Sequence, residues 1–396
     1  MPRGKPSRSG RKGAPAEAEP FPRPNPYHII ALAVICAILI AVEYHGPNYG
    51  FDDANYIHYA KQMLNGTFSP FESQYSLGYL MSATVADSFL LFGKGNLAAT
   101  LPSMAEYMAL VILVYLTILR LRPISRFAFP SALMVATSAF VAVYSSRVLS
   151  DMLIGVLVAL SLYIVSSDRV DPIVGGAVLG IIMFVKLGGM IAAFAVVLSV
   201  LLFTRKKDSL RFMAGFTAMV LIYMFSIGWN LHALSSYSTS QMDMSHVNLQ
   251  INVYTMTVLM FFNYGINIST FGQIFPLGAI AFYALFGVAL MWRKWDSGLG
   301  LFAFALVATY LYLFFGTESI SSYSLITVVN RYIIWIVSPV AVAAAYFLSQ
   351  VNAWFQSRLG IRGAGVIIIL LVFAAILSNL PMLLLFHYWV IKFTYH

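Results

Sequence analysis

Apolar runs of about 18 residues or more recur from end to end of the chain, and most polar residues fall in the connections between them. Runs of that length match the hydrocarbon thickness of a bilayer. A bilayer interior offers no water to backbone N–H and C=O groups, so a spanning segment must be a helix or belong to a closed barrel. Barrel strands alternate apolar and polar residues, whereas these runs are continuous, so helices are expected. The predicted spans are 28–45, 97–119, 127–145, 151–167, 173–189, 190–204, 211–229, 276–292, 299–316, 331–349 and 363–386. The fold class is therefore all-α, a polytopic transmembrane helical bundle of about eleven spans with external juxtamembrane helices.

Two connections are long, at 46–96 and 230–275. The first carries "YGFDDANYIHYAKQMLNG", in which Tyr56, Tyr59, Ala60, Met63 and Leu64 follow the spacing of an apolar helix face. His58, Lys61, Gln62 and Asn65 take the opposite face, and Gly66 is a natural C-terminal stop. A helix of this kind is expected to lie along the membrane surface. Asp52 and Asp53 stand at its N-terminus, where the helix dipole and unpaired N–H groups favour negative charge.

Composition agrees with the pattern. The 396 residues are 60% hydrophobic and 10% charged, with a mean hydropathy of +0.80. Soluble domains carry roughly 25% charged residues, which excludes that class. The formal net charge of +9 is concentrated in part in residues 1–26, which hold six Lys or Arg and two Glu among Pro, Gly and Ser. This segment is expected to be a disordered cytoplasmic tail that fixes the N-terminus inside, not a nucleic-acid-binding arm and not a cleavable leader. Residues 27–396 then form the transmembrane catalytic domain. The basic stretches 120–126, 204–211, 292–295 and 356–362 all become cytoplasmic if 173–189 and 190–204 are two half-deep helices meeting at Lys186. The aspartate segment then faces outward. The single Cys36 excludes an intramolecular disulfide.

In so apolar a chain the remaining ionisable groups are candidates for chemistry. Asp52 and Asp53 could supply a helix cap and a general base, and capping geometry allows either to be the base. Tyr56 and His58 follow on the same segment. Arg147 and Asp151 flank the start of the fourth span, Lys186 interrupts an apolar run, and Arg331 and Tyr332 open the tenth. Acids, Lys and Arg on one face suit a site that clamps a phosphate and activates a hydroxyl. The plainer alternatives are an ion pair between Arg147 and Asp151, four residues apart, and snorkelling by Lys186 and Arg331. Two adjacent carboxylates are compatible with Mg²⁺ or Mn²⁺, although a third oxygen ligand is not evident and no obligatory metal is expected.

Several stretches together resemble the GT-C glycosyltransferases, in the branch of protein O-mannosyltransferases and the lipid A aminoarabinose transferase. They are "DDANYIHYAKQMLNG", "YSLGYLMSATVADSFLLFG", "LPSMAEYMALVILVYLTILRL", "SSRVLSDMLIGVLVALSLYIV", "GAVLGIIMFVKLGGMI" and "NRYIIWIVSPVAVAAAYFL". Asp53 stands where the family has Glu, and the family's Pro-Pro pair before the tyrosines is missing. Many relatives continue into an extra soluble domain, whereas the sequence here runs to His396 after its last predicted span, so the resemblance carries no expectation for how the acceptor is held. The resemblance implies an inverting transferase that moves a sugar from a polyprenyl-phosphate donor to a hydroxyl of a glycan, lipid or protein, at the outer face of the cell membrane. It implies Asp52 as catalytic base, Asp53 and Asp151 as its supports, and Lys186 and Arg331, with Tyr332, at the donor phosphate. A transporter or lipid flippase is the alternative class. Such proteins usually show internal repeats and midplane polar sites, and neither is visible.

Overall fold

The computed structural model describes residues 22–47, 52–167, 169–228, 277–291, 297–315 and 330–394, and among these it contains helices and no strand. The connection at 230–275 and most of the basic tail lie outside the described residues.

The helices are α1 (Pro26–Glu43), α2 (Asp52–Asn65), α3 (Gln74–Leu77), α4 (Leu80–Phe92), α5 (Asn96–Arg120), α6 (Ala128–Ala136), α7 (Ala139–Tyr144), α8 (Ser150–Val165), α9 (Pro172–Gly180), α10 (Ile182–Val185), α11 (Met190–Phe203), α12 (Lys206–Ser226), α13 (Ala279–Met291), α14 (Ser297–Phe315) and α15 (Val337–Thr394). Short 3₁₀ turns occupy Arg122–Phe127, Leu187–Gly189 and Asn330–Ile336. Among the described residues, α1, α5, α12 and the stretch Arg331–Leu380 are long and apolar enough to cross a membrane, and shorter apolar helices pack between them. The last two predicted spans run on as one element, turned at Gly360, whose φ of 72° and ψ of 177° leave the helical region.

Local chemistry sets the ends. Asn25 caps α1 by accepting the Tyr27 N–H, and Pro26 takes the first helical position, where no donor is needed. Asp171 and Pro172 start α9 in the same way. The predicted span 127–145 departs from expectation, because it is broken into the 3₁₀ turn, α6 and α7. Thr137 ends α6, with its N–H and hydroxyl both bonded to the Leu133 carbonyl, and α7 restarts at Ala139. An apolar run thus hides a break, since hydroxyl side chains can satisfy freed backbone groups without any drop in hydropathy.

One main core binds α1 and α5–α15 around fully buried Trp335, Tyr107, Tyr115 and Phe302. A second core carries a correction. The apolar face of α2 does not turn to lipid. Tyr56, Ile57 and Ala60 pack on Met81, Val85, Ala86 and Phe89 of α4, on Ala98 and Ala99 of α5 and on Val148. Each large side chain buried there contributes about 1.5–3 kcal/mol relative to exposure in water, so α2 is clamped to the bundle at a fixed height. The bundle has two chemically distinct ends. Arg120, Arg122, Arg126, Arg205, Lys206 and Lys207 gather where α5 ends and α12 starts. The opposite end is formed by α2 and the N-termini of α5, α8 and the Asn330–Ile336 turn.

Candidate active site

Five elements deliver six charged side chains to that second end. Adjacent residues on a helix point about 100° apart, and α2 uses this to aim its two acids at different partners. Asp53 is fully buried. Its Oδ1 and Oδ2 each receive Arg147 Nε at 3.0 Å, Oδ2 also receives Arg147 Nη2 at 2.5 Å, and Oδ1 accepts the Val148 backbone N–H at 2.7 Å. This is a bidentate guanidinium pair with a backbone donor added. Arg147 therefore pairs with Asp53, and the sequence-based pairing with Asp151 does not form. The four-residue rule requires both residues on one helix, and α8 begins only at Ser150, three residues beyond Arg147.

Asp52 turns into the cluster. Its Oδ1 accepts the Tyr75 hydroxyl at 2.7 Å, and its Oδ2 pairs with Arg331 Nη2. Burial works to raise the Asp52 pKa, but Arg331, the Tyr75 hydroxyl and Lys186 outweigh it and hold the carboxyl below its ordinary range. Asp151, also buried, accepts Trp335 Nε1–H at 3.0 Å on Oδ1. Lys186 Nζ stands 3.7 Å from the same oxygen, and Arg331 Nε faces Oδ2 at 3.1 Å as an ion pair without hydrogen-bond alignment. Lys186 also lies 4.9 Å above the ring of Tyr332, which stacks on Trp335 with centroids 4.3 Å apart. Tyr56 donates to Ser150 Oγ at 2.9 Å, a second tie between α2 and the start of α8.

Close backbone approaches bring these elements together. A Cβ on Gly78 would lie 2.3 Å from the Val185 carbonyl oxygen, so only glycine lets the α3–α4 turn touch the chain beside Lys186. Lys186 itself is extended, with φ −168° and ψ 127°, at the break between α10 and the 3₁₀ turn. A Cβ on Gly155 would meet the Ile334 carbonyl at 2.8 Å, and this contact sets α8 against the turn that carries Arg331 and Trp335.

Of the residues singled out in the sequence, Asp52, Asp53, Arg147, Asp151, Lys186, Arg331 and Tyr332 come together, with Tyr56 at the edge. His58 does not. It is exposed on the far face of α2, 3.1 Å from Gln62 Nε2. Tyr75 and Trp335 were not foreseen. Trp335 lies on the same 3₁₀ turn as Arg331 but not at its eclipsing spacing of three, so no local pattern flags it. Tyr75 carries no local signal either.

No group of three or more His, Cys, Asp or Glu that could hold a metal occurs among the described residues. The chemistry of the paired acids also fits a divalent ion poorly. Asp53 is saturated by Arg147 and Val148, and Asp52 faces a guanidinium, so the two carboxylates do not converge on one point.

This kinked, many-helix bundle is GT-C-like in fold, as its likeness to solved structures shows. The same fold is seen in ArnT from Cupriavidus metallidurans. The apo structure is 12% identical and superposes with a TM-score of 0.58, over 91% of this chain and 75% of that one. The structure bound to undecaprenyl phosphate is 13% identical with a TM-score of 0.53, over 92% and 76%. At such identity the likeness is one of fold, and at that level it bears out the sequence resemblance. No protein-family model matches the chain, and neither does any curated protein.

Proposed function

We propose that this protein is a membrane glycosyltransferase that moves a sugar from a polyprenyl-phosphate donor to a hydroxyl acceptor (glycan, lipid or protein) at the outer face of the cell membrane. The observation that carries the reading is the convergence of Asp52, Lys186 and Arg331 at one end of a fold shared with an enzyme that binds undecaprenyl phosphate. Asp52 takes the proton of the acceptor hydroxyl. The acceptor oxygen attacks the anomeric carbon from the side opposite the phosphate, the sugar–phosphate C–O bond breaks with inversion, and its electron pair stays on the phosphate. Lys186 and Arg331 meet the charge that grows there. Tyr332 lines the phosphate pocket beside Lys186. Asp151 orients both cations, helped by Trp335. Asp53 supports the base through the Arg147 clip rather than by touching the acceptor, and no step requires a divalent ion.

A general base contributes about 10²–10⁴-fold. Asp52→Asn, purified and given labelled polyprenyl-phosphate sugar, should therefore lose at least about a hundredfold in transfer while still inserting and folding. Full activity in that variant overturns the assignment.

A further inference from the structure

The contacts of Asp52 contain a contradiction for a base. Both of its oxygens are already occupied, Oδ1 by the Tyr75 hydroxyl and Oδ2 by Arg331 Nη2. Each oxygen keeps a further lone pair, but the guanidinium on Oδ2 stabilises the negative charge and so weakens the carboxylate as a proton acceptor while the pair is closed. Arg331 is the cation assigned above to the donor phosphate, so as it stands it serves the base instead of the substrate. Its guanidinium is also attached unequally. Nε, close to the stem, faces Asp151, which Trp335 and Lys186 hold in place, whereas Nη2, at the tip, reaches Asp52. Rotation about the last side-chain bonds moves the tip and leaves the inner nitrogen near Asp151.

We propose that Arg331 is a latch that closes on Asp52 until the donor phosphate draws it away. In this view Asp52 occupies, in the free protein, the place on Arg331 that a phosphate oxygen takes later. Phosphate oxygens match the guanidinium fork as well as a carboxylate does, so the exchange replaces one anion by another on the same nitrogen. The freed Oδ2 then becomes the acceptor-facing atom. Such an arrangement arms the base only when a donor is bound, and it discourages premature proton transfer in the empty site. The inference rests on the reading of Arg331 as a phosphate ligand given under the proposed function.

If carboxylate and phosphate compete for Arg331, removing the carboxylate must tighten phosphate binding, and the gain must pass through Arg331. The probe is undecaprenyl phosphate titrated into the purified full chain, with undecaprenol, which lacks the phosphate, as control. Asp52→Asn should bind undecaprenyl phosphate roughly tenfold more tightly than the wild type, the difference that loss of one competing ion-pair partner makes. Undecaprenol affinity should not change. In an Arg331→Gln background the Asp52→Asn gain should vanish. Should Arg331→Gln fold poorly, Arg331→Lys supplies the same comparison, because a single ammonium lacks the fork, and the gain should shrink to less than about twofold. A gain that persists undiminished in the Arg331 variants, or no gain at all, overturns the latch while leaving the donor site in place. A wild type that does not bind undecaprenyl phosphate overturns the latch and the functional reading together.

Discussion

Asp52 and Asp53 share a sequence position in all but one number, yet they meet different chemistry. Asp53 is consumed by Arg147 and the Val148 N–H, and Asp52 is left for Arg331, Tyr75 and Lys186. Truncating Arg147 to Ala strands a fully buried carboxylate, and losses of about 3–5 kcal/mol are usual for such a change. Thermal unfolding in detergent should show Arg147→Ala far less stable than the wild type, and restoring the pair in another geometry by Arg147→Lys should recover only part of the loss. The pH profile follows from the direction of the Asp52 shift. A depressed pKa keeps the base ionised in the free protein, so kcat/KM should stay flat as pH falls from neutrality and drop only below the ordinary carboxyl value of 3.8. The Tyr75 hydroxyl stabilises the charged form. In Tyr75→Phe the acid limb of kcat/KM should therefore move up toward neutrality, and an unmoved limb would show that Tyr75 does not tune the base.

At the scale of elements, two glycines decide whether the site can assemble. A methyl group on Gly78 would drive the α3–α4 turn off the Val185 carbonyl and displace Lys186, and one on Gly155 would push α8 away from Ile334. Gly78→Ala should weaken undecaprenyl phosphate binding while helix content by circular dichroism stays near the wild-type value. Wild-type affinity in that variant would mean that the turn does not place Lys186. Neither approach was legible in the sequence, because a glycine in an apolar run shows no partner. The amphipathic face of α2 was legible as a pattern, but its partner was not. Tyr56 and Ala60 belong to the face expected to lie on the membrane, Ile57 belongs to neither face of that pattern, and the placement of α4 buries all three against protein. The break at Thr137 was invisible for a related reason, since hydropathy averages over Thr137 and the neighbouring Ser138, which lie between α6 and α7. The reading of two helices meeting at Lys186 agrees with the extended backbone there, but the first of them is itself interrupted at Ile181, between α9 and α10.

For the whole molecule, bundle class and the end-to-end division of charge were open to reading from the chain, because hydropathy and Lys/Arg placement act without tertiary detail. Which acid meets which cation was not, because the pairs join residues as distant as Asp52 and Arg331. The orientation proposal has its own test. Cys36 is the only cysteine, so a cysteine-free background needs one replacement. In it, Lys94→Cys should react with an impermeant thiol reagent applied to intact cells, and Arg122→Cys only after permeabilisation; the reverse pattern would invert the topology. The collected charges also bear on how the protein is made. Asp52, Asp53 and Asp151 balance Arg147, Lys186 and Arg331 across five separate elements. Synthesis delivers Asp52 early and Arg331 late. Until Arg331 arrives, Asp52 and Asp151 lack the cation that joins them, and unpaired buried charge is strongly destabilising. The charge balance of this end is therefore a property of the whole chain, completed only by a residue near its last helix.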